Sequence, residues 1–190
     1  MAIHAGRHHL GTEQGRIILT TLRDGLAAQA GHDLTMEPER WSGELVIGDD
    51  LTPTSLDVRV DLGSLAVREG SGGLKPLTDK DRREIAATAR KVLGTDRHPE
   101  ATFSATAFQP ASDGGGVITG TLTLAGRSGP LRLEVSQPGP GRYRATTSIV
   151  QSDFGVKPYS GFLGALKVRD AVNVQVEVAL TDTDSGPVQP

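Results

Sequence analysis

Apolar and polar residues alternate one for one along much of this chain. The cleanest run sets Val172, Val174, Val176, Val178 and Leu180 against Asn173, Gln175 and Glu177, the pattern of a strand with one buried face. Leu56, Val58, Val60 and Leu62 repeat it against Asp57, Arg59 and Asp61, as do Leu131, Leu133 and Val135 against Arg132, Glu134 and Ser136. Residues 17–22, 41–48, 101–108, 117–125 and 143–150 add weaker candidates rich in Thr, Val, Ile or aromatics, which brings the expected total to eight strands. Turn residues separate them: Gly48-Asp49-Asp50 with Pro53, then 113–116, 126–130 and 138–141. Such short links favour antiparallel neighbours, because parallel strands need a long crossover. Two stretches break the alternation. Residues 78–93 place Ile85, Ala86, Ala89, Val92 and Leu93 on one helical face, with Thr78 or Asp79 as N-cap and Gly94 as the stop, which predicts one amphipathic helix between the third and fourth strands. Residues 152–167 mix Phe154, Tyr159, Phe162 and Leu163 with glycine and proline, an apolar connection of unusual length holding a short helical segment around 159–166 before the last strand. A further helical turn is read at 24–31.

Eight sequential strands end economically as a sandwich or a closed barrel, and an eight-stranded barrel is just wide enough to be filled by side chains or to hold one small ligand. The choice turns on bulk. On residues 101–107 Ala101, Phe103, Ala105 and Ala107 share one face, while 117–125 offers either Thr119, Thr121 and Thr123 or Ile118, Gly120, Leu122 and Leu124. With one Trp, two Tyr and four Phe in 190 residues, the interior is short of bulk, which suits an unfilled apolar cavity; a sandwich packed from aliphatics is the competing solution. Counting the 24 glycines, the apolar share is about 48%, ordinary for a globular domain. The net charge of −3 excludes a broadly basic nucleic-acid protein. No cysteine is present, so disulfides, thiolate metal sites and a cysteine nucleophile are excluded. Residues 1–14 are broken by His, Arg, Glu and Gly and do not read as a secretory signal, and no run approaches the ~18 apolar residues of a membrane span. A cytoplasmic protein without an integral membrane segment is expected. Residues 1–14 and 182–190 are expected to be mobile, flanking a domain over 15–181.

Few residues suggest chemistry. His32 beside Asp33 could face a ligand headgroup or act as a base, or fix its loop by hydrogen bonds. No G-x-S-x-G is present, and Ser128 lies in a Gly-Pro turn. His4, His8 and His9 have metal-ligand spacing only on a helix, which Gly6 and Gly11 oppose, so they are read as solvated and no metal or cofactor is expected. The sequence Gly70-Ser71-Gly72-Gly73-Leu74-Lys75 lacks the ending of a phosphate loop. Residues 79–84 mix both signs of charge as a solvated helix face, though Arg82 and Arg83 could meet a phosphate at a barrel mouth.

Several segments, in order, carry a family resemblance. His98-Pro99-Glu100-Ala101-Thr102-Phe103, 120–126, Leu131-Arg132-Leu133, Ser152-Asp153-Phe154-Gly155-Val156, 162–168 with Asp170, Val172-Asn173-Val174 and Trp41-Ser42-Gly43-Glu44-Leu45 together resemble the YceI-like family over residues 15–181. The resemblance implies a lipocalin-like antiparallel barrel with an elongated apolar cavity, whose characterised members carry a polyisoprenoid chain such as a prenyl quinone or prenyl phosphate. Many members are exported, whereas this chain shows no signal segment, and Ala30-Gly31-His32-Asp33-Leu34 stands where a short apolar link is usual. The resulting expectation is a non-enzymatic carrier of an isoprenoid quinone or prenyl phosphate-like lipid, with homodimerisation left open. Phe103, Ala105, Leu122, Leu124, Phe154, Phe162 and Val174 are the expected lining, and His32, Tyr159 or Arg144 the polar end. An enzyme acting on a lipid, or a structural or stress-related module with a vestigial cavity, are the alternatives.

Overall fold

The computed structural model describes residues 4–180, so the tail expected at 182–190 lies outside the described residues. The strands are β1 Gly6–Gly11, β2 Gly15–Thr21, β3 Arg23–Asp24, β4 Asp33–Pro38, β5 Trp41–Ile47, β6 Pro53–Asp61, β7 Leu65–Ser71, β8 Glu100–Pro110, β9 Gly116–Leu124, β10 Arg127–Gly139, β11 Arg142–Val150, β12 Ser160–Gly161, β13 Leu166–Val168 and β14 Ala171–Ala179. Eleven form one curled antiparallel sheet in the order β1-β5-β6-β8-β9-β10-β11-β14-β2-β4-β7, and β12-β13-β3 form a small second sheet. The expected eight strands and closed barrel are corrected to eleven strands in a sheet with two free edges, β1 and β7.

The difference has a physical cause. β1 leads into β2, β4 into β5, and β6 into β7 through interruptions of only a few residues. β1 pairs with β5 while β2 pairs with β4, and β5 pairs with β6 while β4 pairs with β7. Each couple is therefore one chain run bent at a corner, and the circuit of the wall closes through chain continuity where the hydrogen-bond ladder does not. Alternation over a whole run is lost at its corner, which is why only one half of each was legible. Residues 1–14, expected to be mobile, contribute β1 in register with β5 over Gly6↔Ile47 to Gly11↔Ser42, with His8 and Leu10 buried between exposed neighbours.

A polar latch holds two of the corners together. Arg40 N donates to Ser64 Oγ at 3.0 Å, Ser64 Oγ donates to the Asp61 carbonyl at 2.6 Å, and Arg40 Nε donates to Asp61 Oδ2 at 2.8 Å. Asp61 Oδ1 also accepts from Gly63 N at 2.8 Å. The backbone adds Glu39 N to Ser64 O and Asp61 N to Arg40 O, both 3.1 Å. Ser64 is buried, so its hydroxyl satisfies groups that would otherwise be stranded away from water.

The helix α1, Asp79–Leu93, begins with Thr78 as N-cap in a capping box with Asp81 and ends at Gly94 in the left-handed conformation. A left-handed stop is cheap only for a residue without Cβ. Because β7 intervenes after β6, the helix follows β7 rather than the third expected strand directly. It packs on that free edge strand, shielding a ladder edge that would otherwise template aggregation. The connections at 21–33, 71–100 and 150–171 gather at one end of the barrel, the long-loop end, and the tight turns at 48–52, 111–115 and 140–141 at the other. The helical segment expected at 159–166 is a single 3-10 turn, Phe162–Gly164, between β12 and β13, and the turn expected at 24–31 is another, Ala28–Ala30.

Ser64→Ala removes the acceptor of the Arg40 amide in a part-buried hydrogen bond, which costs about 0.5–1.5 kcal/mol, and should lower the thermal midpoint by about 2–4 °C per kcal/mol in a domain of this size. An unchanged midpoint would show that the corner does not depend on the latch. The Arg40 guanidinium hydrogen bond holds the Asp61 carboxyl below its ordinary value. A depressed carboxyl contributes stability above its unfolded pKa that is lost as pH falls through the folded one. Asp61→Asn should therefore reduce the loss of stability between about pH 4 and more acid conditions, measured as chemical denaturation midpoints across pH.

Candidate functional site

The wall of the barrel is built by alternation. Ile17 and Leu19 from β2, Leu34 and Met36 from β4, Val58 and Val60 from β6, Leu131, Leu133 and Val135 from β10, and Val172 to Val178 at every second position of β14 all turn the same way. They surround one cavity of about 1230 Å³, larger than the roughly 300–1,000 Å³ of ordinary small-molecule pockets. The core residues are therefore not shielded on all sides. Phe103 keeps 8% of its surface and Leu34 9%, and among the described residues no large side chain is completely buried. A close-packed interior has few voids above the size of a water molecule. Here the middle is hollow.

The helix supplies one side of this space. Ile85, Ala89, Val92 and Leu93 line it while Ala86 is buried among the core residues. The apolar stripe of α1 was legible in the sequence, but not its destination, because nothing local tells a helix that seals a sheet edge from one that packs on a finished core. At the long-loop end Arg23, His32, Lys75, Asp81, Glu84 and Lys167 reach the rim, and at the tight-turn end Gln109, Gln137 and Tyr143 do. Gln137 Nε2 donates to Tyr143 Oη at 3.0 Å, and burial pushes the Tyr143 phenol pKa up. These two polar residues are an aspect of the cavity that the sequence reading missed, since they sit at positions that mark only strand parity.

Of the expected lining, Phe103, Leu122, Leu124 and Val174 face the cavity, as do Tyr159, Phe162 and His32. β9 adopts the second of its two parities, burying Gly120, Leu122 and Leu124. A Cβ on Gly120 would lie 2.6 Å from the Phe103 ring, so the ring occupies the place a side chain would take. Three expectations are corrected. Ala105 keeps the inward parity of Phe103, opposite Gly120, but packs against the core without lining the cavity; the bulge of β8 lies beyond it, between Ala105 and Ala107, so parity reverses there, Ala107 turns outward and Phe108 faces in. Phe154 is buried at 4% in the 3-10 turn Gln151–Phe154, within 3.3 Å of the position a Gly129 Cβ would take; it plugs the long-loop end rather than facing the hollow. Arg144 lies on the outer face, donating to Glu177 Oε1 at 3.0 Å beside the 2.9 Å Arg16 bond to Oε2. The Arg16 hydrogen bond, first, and then Arg144 hold the Glu177 carboxyl below its ordinary value.

His32 fixes its loop. Its Nε2 donates to the Lys75 carbonyl at 2.8 Å, tying the connection after β7 to the start of β4, while Asp33 Oδ1 accepts from Arg23 N at 2.8 Å. Arg82 donates to the Arg68 carbonyl. His8, expected to be solvated, is buried on β1 with Nε2 donating to the His4 carbonyl at 2.9 Å, and His9 lies on the opposite face. Among the described residues no group of three or more histidines and carboxylates could hold a metal ion. No helix among them is long and apolar enough to cross a membrane.

The family model of the YceI-like domain matches residues 25–180. UPF0312 proteins of Shewanella sp. strain W3-18-1 and of Shewanella baltica strain OS155 are each 30% identical over 118 residues, a stretch covering 57% of this chain and 57% of theirs. The match thus spans little more than half the length of these curated relatives. Among solved structures, BcnA of Burkholderia cenocepacia superposes with a TM-score of 0.61 at 17% identity, covering 88% of this chain and 96% of that one. The Campylobacter jejuni YCEI protein does so at 0.53 and 17% identity, covering 77% and 85%. A variant YCEI structure with monobromobimane as guest gives 0.57 at 18% identity, covering 78% and 85%. The likeness to these structures is one of fold; the family model, matched over 25–180, establishes that the chain belongs to the YceI-like family.

Proposed function

We propose that this protein is a non-enzymatic carrier that holds a long apolar chain of isoprenoid type in the barrel. The observation that carries the reading is the hollow of about 1230 Å³ walled by aliphatic side chains from the curled sheet and the helix. Desolvation supplies the affinity. Each buried methylene is worth about 0.8 kcal/mol, so a chain of several prenyl units binds tightly with few polar contacts. Leu122, Leu124, Phe103 and Val174 would contact the chain along its length. A polar head, such as a quinone ring or a phosphate, would rest at the long-loop rim against Arg23, His32, Lys75 or Lys167. His32 serves there as a fixed donor of its loop and as a neighbour of the head, because its bond to the Lys75 carbonyl occupies Nε2.

Organic extraction of the purified protein followed by mass spectrometry should release a long-chain apolar lipid in near-stoichiometric amount, and an empty extract from freshly purified protein would count against the reading. A pair of substitutions tests the cavity itself. Ala145 lines the hollow on β11, so Ala145→Trp should abolish uptake of a prenyl-chain probe with the thermal midpoint nearly unchanged. Ala105→Trp, against packed core, should cost about 1–3 kcal/mol and so lower the midpoint by several degrees. Equal destabilisation by both, with uptake intact in Ala145→Trp, would show a filled interior.

A further inference from the structure

The apolar side chains left in solvent are not scattered. Leu26 is 101% exposed, Leu163 110%, Leu74 80% and Phe162 71%, and all four sit on the connections of the long-loop end. Leu26 lies between Gly25 and Ala27, and Ala27 N donates to the Ala165 carbonyl at 2.8 Å, while Ala165 N donates to the Phe162 carbonyl at 3.1 Å. The two tips are thus tied side by side, continued by the ladder of β3 with β13. Leu74 stands next to Lys75, whose carbonyl holds His32. Phe162 and Leu74 are at once exposed and part of the cavity lining. At the tight-turn end Leu51 alone among the described large apolar residues is comparably exposed.

The backbone at this tip is also unusual. Phe162 has φ 48° and Leu163 φ 55°, the left-handed region that bulky side chains avoid. Glycines stand on either side, at 161 and 164, yet the two central positions carry large apolar groups. Folding alone would favour small residues there. Observed strain of this kind, coupled to apolar exposure, points to a surface that meets something outside the chain.

We propose that the long-loop end docks on a lipid bilayer, with Leu26, Leu74, Phe162 and Leu163 entering the headgroup boundary around the cavity mouth. This rests on the carrier reading, from which the choice of occupant follows: an apolar chain leaving the hollow meets no water if the mouth is seated in the membrane. The charge at the rim is mixed, with Arg23, Lys75 and Lys167 near Asp24, Asp81 and Glu84. Attachment is therefore by apolar insertion, not by adsorption of a basic face onto anionic lipid.

The test uses the full chain and vesicles of phosphatidylcholine, with or without phosphatidylglycerol, in a flotation assay. The protein should float with both kinds of vesicle, with little dependence on salt. Leu26→Ser combined with Leu163→Gly removes two tips that do not line the cavity, and glycine suits the backbone at 163. That variant should keep its thermal midpoint and its uptake of a water-dispersed prenyl-chain probe, while its partitioning to vesicles weakens by about tenfold or more. No flotation of the wild-type protein would overturn the proposal, as would an undiminished variant or flotation only with phosphatidylglycerol that salt abolishes. If sedimentation shows a dimer that the variant dissolves while vesicle binding is unmoved, the patch is a contact between copies and the proposal also fails. Probe uptake is read separately, so loss of docking with uptake intact leaves the carrier reading standing, and docking without uptake does the reverse.

Discussion

The structure depends on a wall that encloses more volume than its inward side chains occupy. Because three couples of the eleven strands are single bent runs, the wall is eight runs round, near the size at which side chains just fill a barrel's interior, and here the inward positions are held mainly by Val, Leu, Ile and Ala. Their reach is short. The one bulky wall residue of β8 facing in at mid-strand, Phe103, lies over Gly120, so its ring consumes space already ceded by its neighbour. The hydrophobic drive that curls the sheet is satisfied on one side of each side chain and unsatisfied on the other.

A wall under that condition needs its closure fixed by something other than a packed centre. The corners do this. Three runs bend without interrupting the chain, and the buried Ser64 hydroxyl with Asp61 and Arg40 joins two of them by polar bonds whose geometry is directional. Of the two free edges, the one at β7 is covered by α1, and the helix turns its apolar stripe to the hollow. The asymmetry between the ends follows. One rim carries only tight turns, while the other adds to the short β9–β10 turn the helix, the small sheet and the Phe154 plug, and with them four of the exposed apolar tips.

This division explains what the sequence could disclose. Strand parity, the helix with its Thr78 and Gly94 caps, and the turns are local properties, and they were legible because each is set by residues within a few positions of one another. β4 and β7 were not, since their apolar residues alternate only briefly before Glu39-Arg40 or the turn Leu62–Ser64 breaks the period. Ala105 does point inward, as its parity with Phe103 implied, but the shared face does not continue to Ala107: the bulge at Thr106 inserts one residue, and nothing in Ala105-Thr106-Ala107 signals it. Arg144 was misplaced for a different reason. An arginine on a strand is equally suited to a rim and to an outer ladder, and the partner that decides, Glu177, is brought to it by pairing of β11 with β14. The hollow itself was foreshadowed only by the scarcity of aromatic residues, a property of the whole chain and not of any position.

Stability and binding are then two views of one quantity. Side chains facing a void forgo the dispersion contacts a filled interior would give them, and mutational cavities show that such loss is felt in proportion to volume. A guest that restored those contacts would bind the folded chain and have no comparable site on the unfolded one, so under the carrier reading it would stabilise the fold by mass action, by about 2.7 kcal/mol at a hundredfold excess over Kd. That increment is a sizeable part of the roughly 5–15 kcal/mol that holds a domain folded. On the carrier reading, an aliphatic and sparsely aromatic wall is a trade: larger side chains would raise the stability of the empty barrel while removing the space in which a guest could contribute it.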